Sequence, residues 1–179
     1  MIIFINGPRL SGKTTAIDYL RSTTPNSAVY KMSRPLESAA AELFQIDSDT
    51  WRKIYNHHKD DPIFKGKSPR EILILLSNFL QQTFGPEALG NVACLALRTM
   101  IGDVVFVDAG KTVEVAPVAD MYDCACIQLE RPGCTFDEDT REYIDCEKLK
   151  IPVIKINNRH DLEMFKLQLD KAMSDLCHP

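Results

Sequence analysis

Short apolar runs alternate with longer amphipathic stretches along this chain. Ile2-Ile3-Phe4-Ile5, Val104-Val105-Phe106-Val107 and Ala125-Cys126-Ile127-Gln128-Leu129 are compact runs rich in β-branched and aromatic residues, the signature of strands buried on both faces. Ala28 to Met32 and Pro152-Val153-Ile154-Lys155-Ile156 read as two further strands. Between them the apolar positions recur at helical spacing. Ala16, Ile17 and Leu20 share one face of a first helix, and Leu36, Ala39, Ala40, Leu43 and Phe44 mark a second that opens at Ser33-Arg34-Pro35. Asp47-Ser48-Asp49 caps a short helix carrying Trp51, Ile54 and Tyr55.

Residues 56 to 68 are polar and mixed in charge, which predicts a mobile loop. Ser68-Pro69-Arg70-Glu71 then combines a capping box with proline at the first helical position. The helix it opens carries Ile72, Leu73, Leu75, Leu76, Phe79 and Leu80. It is apolar nearly all round, which predicts burial. Gly85-Pro86 ends it, and a helix with Leu89, Val92, Ala93, Leu95 and Ala96 follows. Residues 112 to 122 are ambiguous, with helix the favoured reading. Thr135-Phe136-Asp137-Glu138 repeats the capping-box pattern and predicts a helix through Arg141 and Ile144. Leu162, Phe165, Leu169, Ala172 and Leu176 close the chain on a near-3.6 period. Strands separated by helices predict a parallel sheet covered on both faces, with ligands at the carboxyl ends of the strands.

Composition narrows the picture. At 179 residues the chain suits one domain, and 45% hydrophobic with 26% charged residues is ordinary for a globular protein. A net charge of −4 argues against a general nucleic-acid binder. No apolar run approaches the ~20 residues of a membrane span, so no membrane partner is expected. No leader is expected ahead of a strand that begins at residue 2. The six cysteines form no C-x-x-C pair. Cys124-x-Cys126 lies in a strand whose side chains alternate between faces, an arrangement taken here as poor for shared metal ligation. Buried free thiols in a reducing cytoplasm are the expectation. His57-His58 fits no zinc spacing and reads as a solvated helix end.

The chemistry concentrates at strand ends. Gly7-Pro8-Arg9-Leu10-Ser11-Gly12-Lys13-Thr14 fits G-x-x-x-x-G-K-[ST] between a strand and a helix, which is the context a phosphate-binding loop requires. Gly7, Ser11, Gly12, Lys13, Thr14 and Thr15 are therefore the expected nucleotide-binding residues, with a nucleoside triphosphate or a close analogue as ligand, and Arg9 inside the loop either folds back on the phosphates or does not. Lys13 would reach the β- and γ-phosphates, and Thr14 would hold Mg2+ together with Asp108 at the end of the third strand. The expected fold is thus α/β, a three-layer P-loop NTPase fold with a five-stranded parallel sheet and helices on both faces.

Nine arginines supply the second signal. Arg70, in a capped first helical turn, is either half of an anion site built from dipole, free N–H groups and guanidinium, or an exposed passenger beside start signals. Arg131 and Arg141 flank the segment after the fourth strand, where they could neutralise a triphosphate, and Arg34 could reach an acceptor. Asn158-Arg159-His160-Asp161 resembles the N-K-x-D guanine motif of switch GTPases. Asp108-Ala109-Gly110-Lys111 lacks the companion D-x-x-G, so a helix start is the simpler reading, with Asn157 or its loop near a nucleotide base. An alcohol acceptor needs a positioned base, whereas a phosphate monoester is largely a ready oxyanion at neutral pH, having a second pKa near ~6. Many arginines and no clear base favour a phosphate as acceptor.

At this point the chain resembles the deoxynucleoside monophosphate kinases of tailed bacteriophages, within the nucleoside monophosphate kinase group. The likeness rests on Ser33-Arg34-Pro35-Leu36 with Ala41-Glu42-Leu43-Phe44, on Gly66-Lys67-Ser68-Pro69-Arg70-Glu71, and on Val107-Asp108-Ala109-Gly110 with Glu114. It extends to Arg131-Pro132-Gly133-Cys134-Thr135-Phe136 with Asp139 and Arg141-Glu142-Tyr143, and to Asn157-Asn158 with Leu162. The chain is shorter than is usual in that family, and Ala109 and Lys111 depart from its pattern. The resemblance implies a single cytoplasmic domain, in the host cytoplasm if the chain is phage-encoded. It implies an acceptor-binding helical insertion over about 34–100 and a lid-like segment over about 131–146. It implies transfer of the γ-phosphoryl group of ATP to a deoxynucleoside 5′-monophosphate with magnesium. Lys13, Asp108, Arg70, Arg131 and Arg141 would be catalytic, and Arg34, Arg70 and Trp51 would bind the acceptor. A homodimer is compatible with the sequence. The rival readings are a kinase for a hydroxyl group, on a metabolite or a polynucleotide end, and a nucleotide-binding module without catalysis.

Overall fold

The computed structural model describes residues 1–137 and 141–177. Its order is β1 (Ile2–Asn6), α1 (Lys13–Thr23), β2 (Ser27–Lys31), α2 (Arg34–Leu43), α3 (Ser48–His58), α4 (Pro69–Phe84), α5 (Ala88–Leu97), β3 (Val104–Asp108), α6 (Thr112–Met121), β4 (Cys124–Glu130), α7 (Cys146–Leu149), β5 (Val153–Asn157) and α8 (Leu162–Cys177). The five strands form one sheet in the order β2-β3-β1-β4-β5, and every pairing is parallel. The α/β fold expected from the apolar runs is the one observed. No described helix is long and apolar enough to cross a membrane.

The period-2 alternation of β1 divides the core in two. Ile3 and Ile5 join Phe106, Ile127, Leu129 and Ile156 under α1 and α8, whose Ala16, Ile17, Leu20, Phe165, Leu169 and Ala172 fill that side. Ile2 and Phe4 face Tyr30, Val105, Val107, Cys124 and Cys126 under the helices inserted between β2 and β3 and under α6. The close seam of α5 against α6 depends on Gly90, where a Cβ would collide with the Glu114 carbonyl and the Pro117 ring. Local start signals act as read. Asp47 accepts from the Asp49 and Thr50 amides, and Ser68 and Glu71 form a complete capping box.

Three expectations are corrected. First, α4 is not buried all round. Only Pro69 and Leu73 are fully buried, while Leu75 is 54% and Phe79 61% exposed, because the helix packs on one side alone. Second, Cys124 and Cys126 share a face, since residues two apart in a strand point the same way. Both are buried in one core cluster with Cys94 and Cys146. Third, the helix expected through Arg141 and Ile144 is absent over residues 141–145, and a helix begins only at Cys146. Glu138 of that capping-box pattern and Asp139 lie outside the described residues.

Buried side chains, rather than a helix, hold residues 141–145. Asn6 and Gln128 are neighbours in the β1–β4 register and are both buried. Asn6 accepts from the Ile144 amide at 3.0 Å and donates to the carbonyls of Ala109 and Glu142, each at 3.1 Å. Gln128 donates to the Ile144 carbonyl at 2.7 Å. The Glu142 amide donates to Gly110 O at 2.8 Å, and its carboxylate accepts from the Thr112 amide that opens α6. The segment is thereby stitched across the carboxyl ends of β1, β3 and β4.

Candidate active site

The loop between β1 and α1 is built from close contacts that only glycine allows. A Cβ on Gly7 would lie 2.6 Å from both Leu129 O and Ser11 Oγ. Gly12 has φ +105°, and a Cβ there would lie 2.6 Å from Asn158 Nδ2. Asn158 itself donates to Ser11 O at 2.9 Å, so the loop after β5 buttresses the glycine loop from behind. Asp161 accepts from the Met164 amide and starts α8. The N-x-x-D pattern therefore serves loop support and helix capping. Lys13 Nζ donates to Gly7 O and Pro8 O, each at 2.7 Å. Ser11 Oγ is buried with no hydrogen-bond partner among the described residues. Thr14 and Thr15 are exposed at the start of α1, and of these Thr14 lines the main cleft.

That cleft has a volume of about 390 Å³ and opens at the carboxyl edge of the sheet. Such a volume suits a small-molecule ligand. Thr14, Asp108 and Arg141 line it, as do Arg70 at the start of α4 and Tyr55 on α3. Arg141 is placed there by the stitched segment, its aliphatic stem lying where a Cβ on Gly110 would be. Burial pushes the Asp108 carboxyl above its ordinary value, although Lys13, Arg141, Lys31 and Lys59 pull it down. Burial likewise raises Glu114, which sits 4.0 Å from Lys111.

Arg70 occupies the far wall. Its Nε lies 2.7 Å from Asp60 Oδ1, an ion pair that does not meet hydrogen-bond geometry, and its Nη2 is buried without a partner among the described residues. An unpaired buried donor costs about 1–3 kcal/mol, so this guanidinium is incompletely satisfied as it stands. One part of the anticipated anion site is corrected. The first-turn amides of α4 are not free, because the Arg70 amide donates to Lys59 O at 3.1 Å and the Glu71 amide to Ser68 Oγ at 3.3 Å. Any anion held here is held by side chains.

Two expected acceptor residues do not reach the cleft. Arg34 stands at the start of α2 and lines a separate hollow with Tyr30, Pro35 and Val92. Trp51 is 1% exposed and stacks with Phe44 and Phe64 in the core, where the apolar face of α3 meets its neighbours. Arg131 lies near the glycine loop instead of in the main cleft, its Nη1 donating to Leu10 O at 3.1 Å. It shares a second hollow of about 320 Å³ with Asn157, Glu130 and Tyr143. Arg9 is exposed and lies 3.5 Å from Asp60.

Sequence reasoning missed Lys59, Lys31 and Glu37, which line the main cleft, and Asn6 and Gln128, which build it. Burial, together with Arg70 and Arg141, pushes the Lys59 ammonium below its ordinary value. The detectable signal was a polar residue inside or ending an apolar strand run, as at Asn6 and Gln128. Lys59 carried none, being one lysine in a mixed-charge stretch.

No protein-family model matches the chain, and no curated protein matches it either. Among solved structures it is similar to TT1252 from Thermus thermophilus, at 16% identity and a TM-score of 0.55, over 98% of this chain and 97% of that one. Shikimate kinase from Aquifex aeolicus aligns at 13% identity and a TM-score of 0.47, over 99% and 98%. Dephospho-CoA kinase from Campylobacter jejuni aligns at 15% identity and a TM-score of 0.45, over 98% and 96%. The likeness to the Thermus protein is one of fold.

Proposed function

We propose that the chain is a P-loop phosphotransferase that moves the γ-phosphoryl group of ATP to a small acceptor, and that the acceptor is a deoxynucleoside 5′-monophosphate. The observation that carries this reading is one continuous cleft with the end of the glycine loop on one wall and Arg70 on another. On this reading the loop amides and Lys13 hold the donor phosphates, and Arg131 with Asn157 borders the outer part of the donor. Arg70 takes the acceptor's phosphate, and Arg141 meets the transferring group. Helices α2 to α5 act as the acceptor-binding insertion, and the lid-like segment over about 131–146, described at 131–137 and 141–146, serves the donor side.

A magnesium ion fits the donor set. Thr14 and Asp108 offer a hydroxyl and a carboxylate in the same cleft, the hard oxygen ligands that magnesium takes along with water and phosphate. The ion would supply charge neutralisation between donor phosphates. This chain's residues supply position and fixed positive charge, since phosphoryl transfer asks for little covalent chemistry from the protein.

Coupled ADP release, measured with every ribo- and deoxynucleoside monophosphate in turn, tests the reading. Acceleration by a deoxynucleotide that falls strongly in Arg70→Ala is the expected outcome, and no acceleration by any of them would sink it. A hydroxyl acceptor has one observation in its favour, a buried Asp108 whose raised value suits a base. Transfer to an alcohol with Arg70→Ala retaining acceptor affinity would select that alternative. Tight ATP binding with no transfer to any acceptor would select a module without catalysis.

A further inference from the structure

We infer that Asp60 is a positioning residue for the acceptor's anion: it holds Arg70 by one edge and links that arginine to Arg9 of the glycine loop. The inference rests on the reading of Arg70 as the acceptor ligand.

Arg70, ten residues on, and Arg9, from the glycine loop, meet at this carboxylate. Asp60 Oδ1 lies 2.7 Å from Arg70 Nε, and Asp60 Oδ2 lies 3.5 Å from Arg9 Nη2. A second tie fixes the same two segments, since the Arg70 amide donates to Lys59 O. Lys59 then presents its side chain to the cleft with its ammonium 5.0 Å from the centre of the Tyr55 ring, while Asp60 stands beside the arginine. The loop from Lys59 to Asp60 thus does two opposite things at adjacent positions. It adds a cation to the acceptor wall and spends a carboxylate on holding another cation in place.

A guanidinium presents five N–H donors in a rigid fork. With the Nε edge in ion-pair contact with Asp60, the two terminal nitrogens face away from that carboxylate's contact, and they are the pair that matches two oxygens of a phosphate side by side. Arg70 is a long side chain with many rotamers, and fixing one of them in advance lowers the ordering cost of binding. The opposing effect is repulsion between the Asp60 carboxylate and an incoming anion. Asp60 is half exposed, and its charge is already divided between two arginines, so screening weakens that repulsion. The geometric gain is therefore the larger effect. Arg9 belongs to the same cluster, so the wall that takes the acceptor and the loop that takes the donor share one fixed point.

The test uses the full chain with its glycine loop saturated by a non-hydrolysable ATP analogue, and inorganic phosphate as probe, titrated by 31P NMR. Asp60→Ala is expected to weaken phosphate binding about three- to fivefold, the scale of a partly exposed ion pair. Asp60→Glu should restore most of the affinity, and Asp60→Asn, which keeps an acceptor without the charge, should fall between. In turnover the same variants should raise the acceptor KM by a larger factor than they change kcat. In an Arg70→Ala background, which has no guanidinium to hold, Asp60→Ala should have no further effect on phosphate binding. If Arg70→Ala leaves phosphate binding unchanged, the reading of Arg70 fails and this inference falls with it. If Arg70→Ala weakens binding but Asp60→Ala leaves it unchanged or tightens it, the inference alone is overturned, and Asp60 is a competitor for the arginine instead of its support.

Discussion

Replacing Asn6 by alanine separates the construction of the site from its chemistry. Asn6 is fully buried and makes three hydrogen bonds, to Ala109 O, Glu142 O and the Ile144 amide. Alanine removes all three partners at once and leaves the Ile144 N–H enclosed without an acceptor. At about 0.5–1.5 kcal/mol net per bond, the loss amounts to roughly 1.5–4.5 kcal/mol. With a urea m-value of about 2 kcal/mol/M, the unfolding midpoint should fall by roughly 1–2 M. For a chain of this length the same loss lowers Tm by roughly 5–15 °C. The variant should still fold at low temperature, because Gln128 keeps its bond to the Ile144 carbonyl and the apolar core is untouched. Turnover there should fall with the ATP KM little changed, since the lost bonds anchor the segment that carries Arg141. Combined with Arg141→Ala, the effect on kcat should be less than additive, as expected for residues acting through one element. Urea unfolding followed by far-UV circular dichroism, with ADP-release kinetics on the same samples, decides it. A loss below about 1 kcal/mol, or full additivity with Arg141→Ala, would refute the argument that Asn6 builds the site.

Asp108→Asn should stabilise the protein and abolish activity, because burial makes the ionised carboxyl costly in the folded state. With its folded value raised, Asp108 favours folding at low pH and loses that contribution as pH rises through the raised value. The gain in Tm over wild type should therefore be full near pH 8 and vanish toward the ordinary carboxylate value of 3.8, as read by differential scanning calorimetry. Gly12→Ala should cost about 1–3 kcal/mol and weaken ATP binding, since it combines φ +105° with a clash against Asn158; equilibrium dialysis with labelled ATP would show an undiminished affinity if this is wrong. Of the six thiols, Cys177 should react fastest with a disulfide reagent and Cys134 next, while Cys94, Cys124, Cys126 and Cys146 stay protected until the chain unfolds. Burial pushes the Cys124 thiol up to about 12, so little of it is thiolate at pH 8, and rapid native-state modification of more than two cysteines would contradict the assigned core.

The sequence is most legible where one local rule settles the outcome. The strands of β1, β3 and β4 are apolar runs too dense to face water, and the capping residues Asp47 and Ser68 each mark a helix start with their own hydrogen bonds. The glycine loop is legible because backbone curvature and close approach demand Gly7 and Gly12 at fixed spacing. What depends on which way a helix turns is not legible. Arg34 and Trp51 sit on the helices expected for the acceptor site, but rotation about the helix axis sends one to a separate hollow and the other into the core. The apolar residues of α4 read as a buried helix, yet its packing covers one stripe and leaves Leu75 and Phe79 in the open. Over residues 141–145 a tertiary constraint prevails over the helix expected to run on from Thr135. Asn6 and Gln128 take the backbone groups of Ile144 that a helix would have used for itself.

Charge explains why the cleft can be read as a site while the whole chain is acidic. The chain carries −4 overall, yet Lys31, Lys59, Arg70, Lys111 and Arg141 line one cleft against Glu37, Asp108 and Glu114. The compensation is uneven. Lys111 is paired with Glu114, and Arg70 is held by Asp60 from beside the cleft. Burial, with Arg70 and Arg141 adding to it, pushes the Lys59 ammonium below the ordinary value. Concentrating like charge in a partly buried space costs stability, and folding alone returns nothing for it. The cost is recovered when an anion enters, because opposite charge is then added in a setting where solvent screens little. A ligand bearing several phosphate charges relieves more of this repulsion than a neutral metabolite of the same size. The same arrangement therefore biases the cleft toward polyanionic ligands, and the wall at Arg70 shares that bias with the glycine loop. A phosphate on the acceptor uses the positive charge of both walls, whereas a hydroxyl acceptor would leave Arg70 as unsatisfied as it is now.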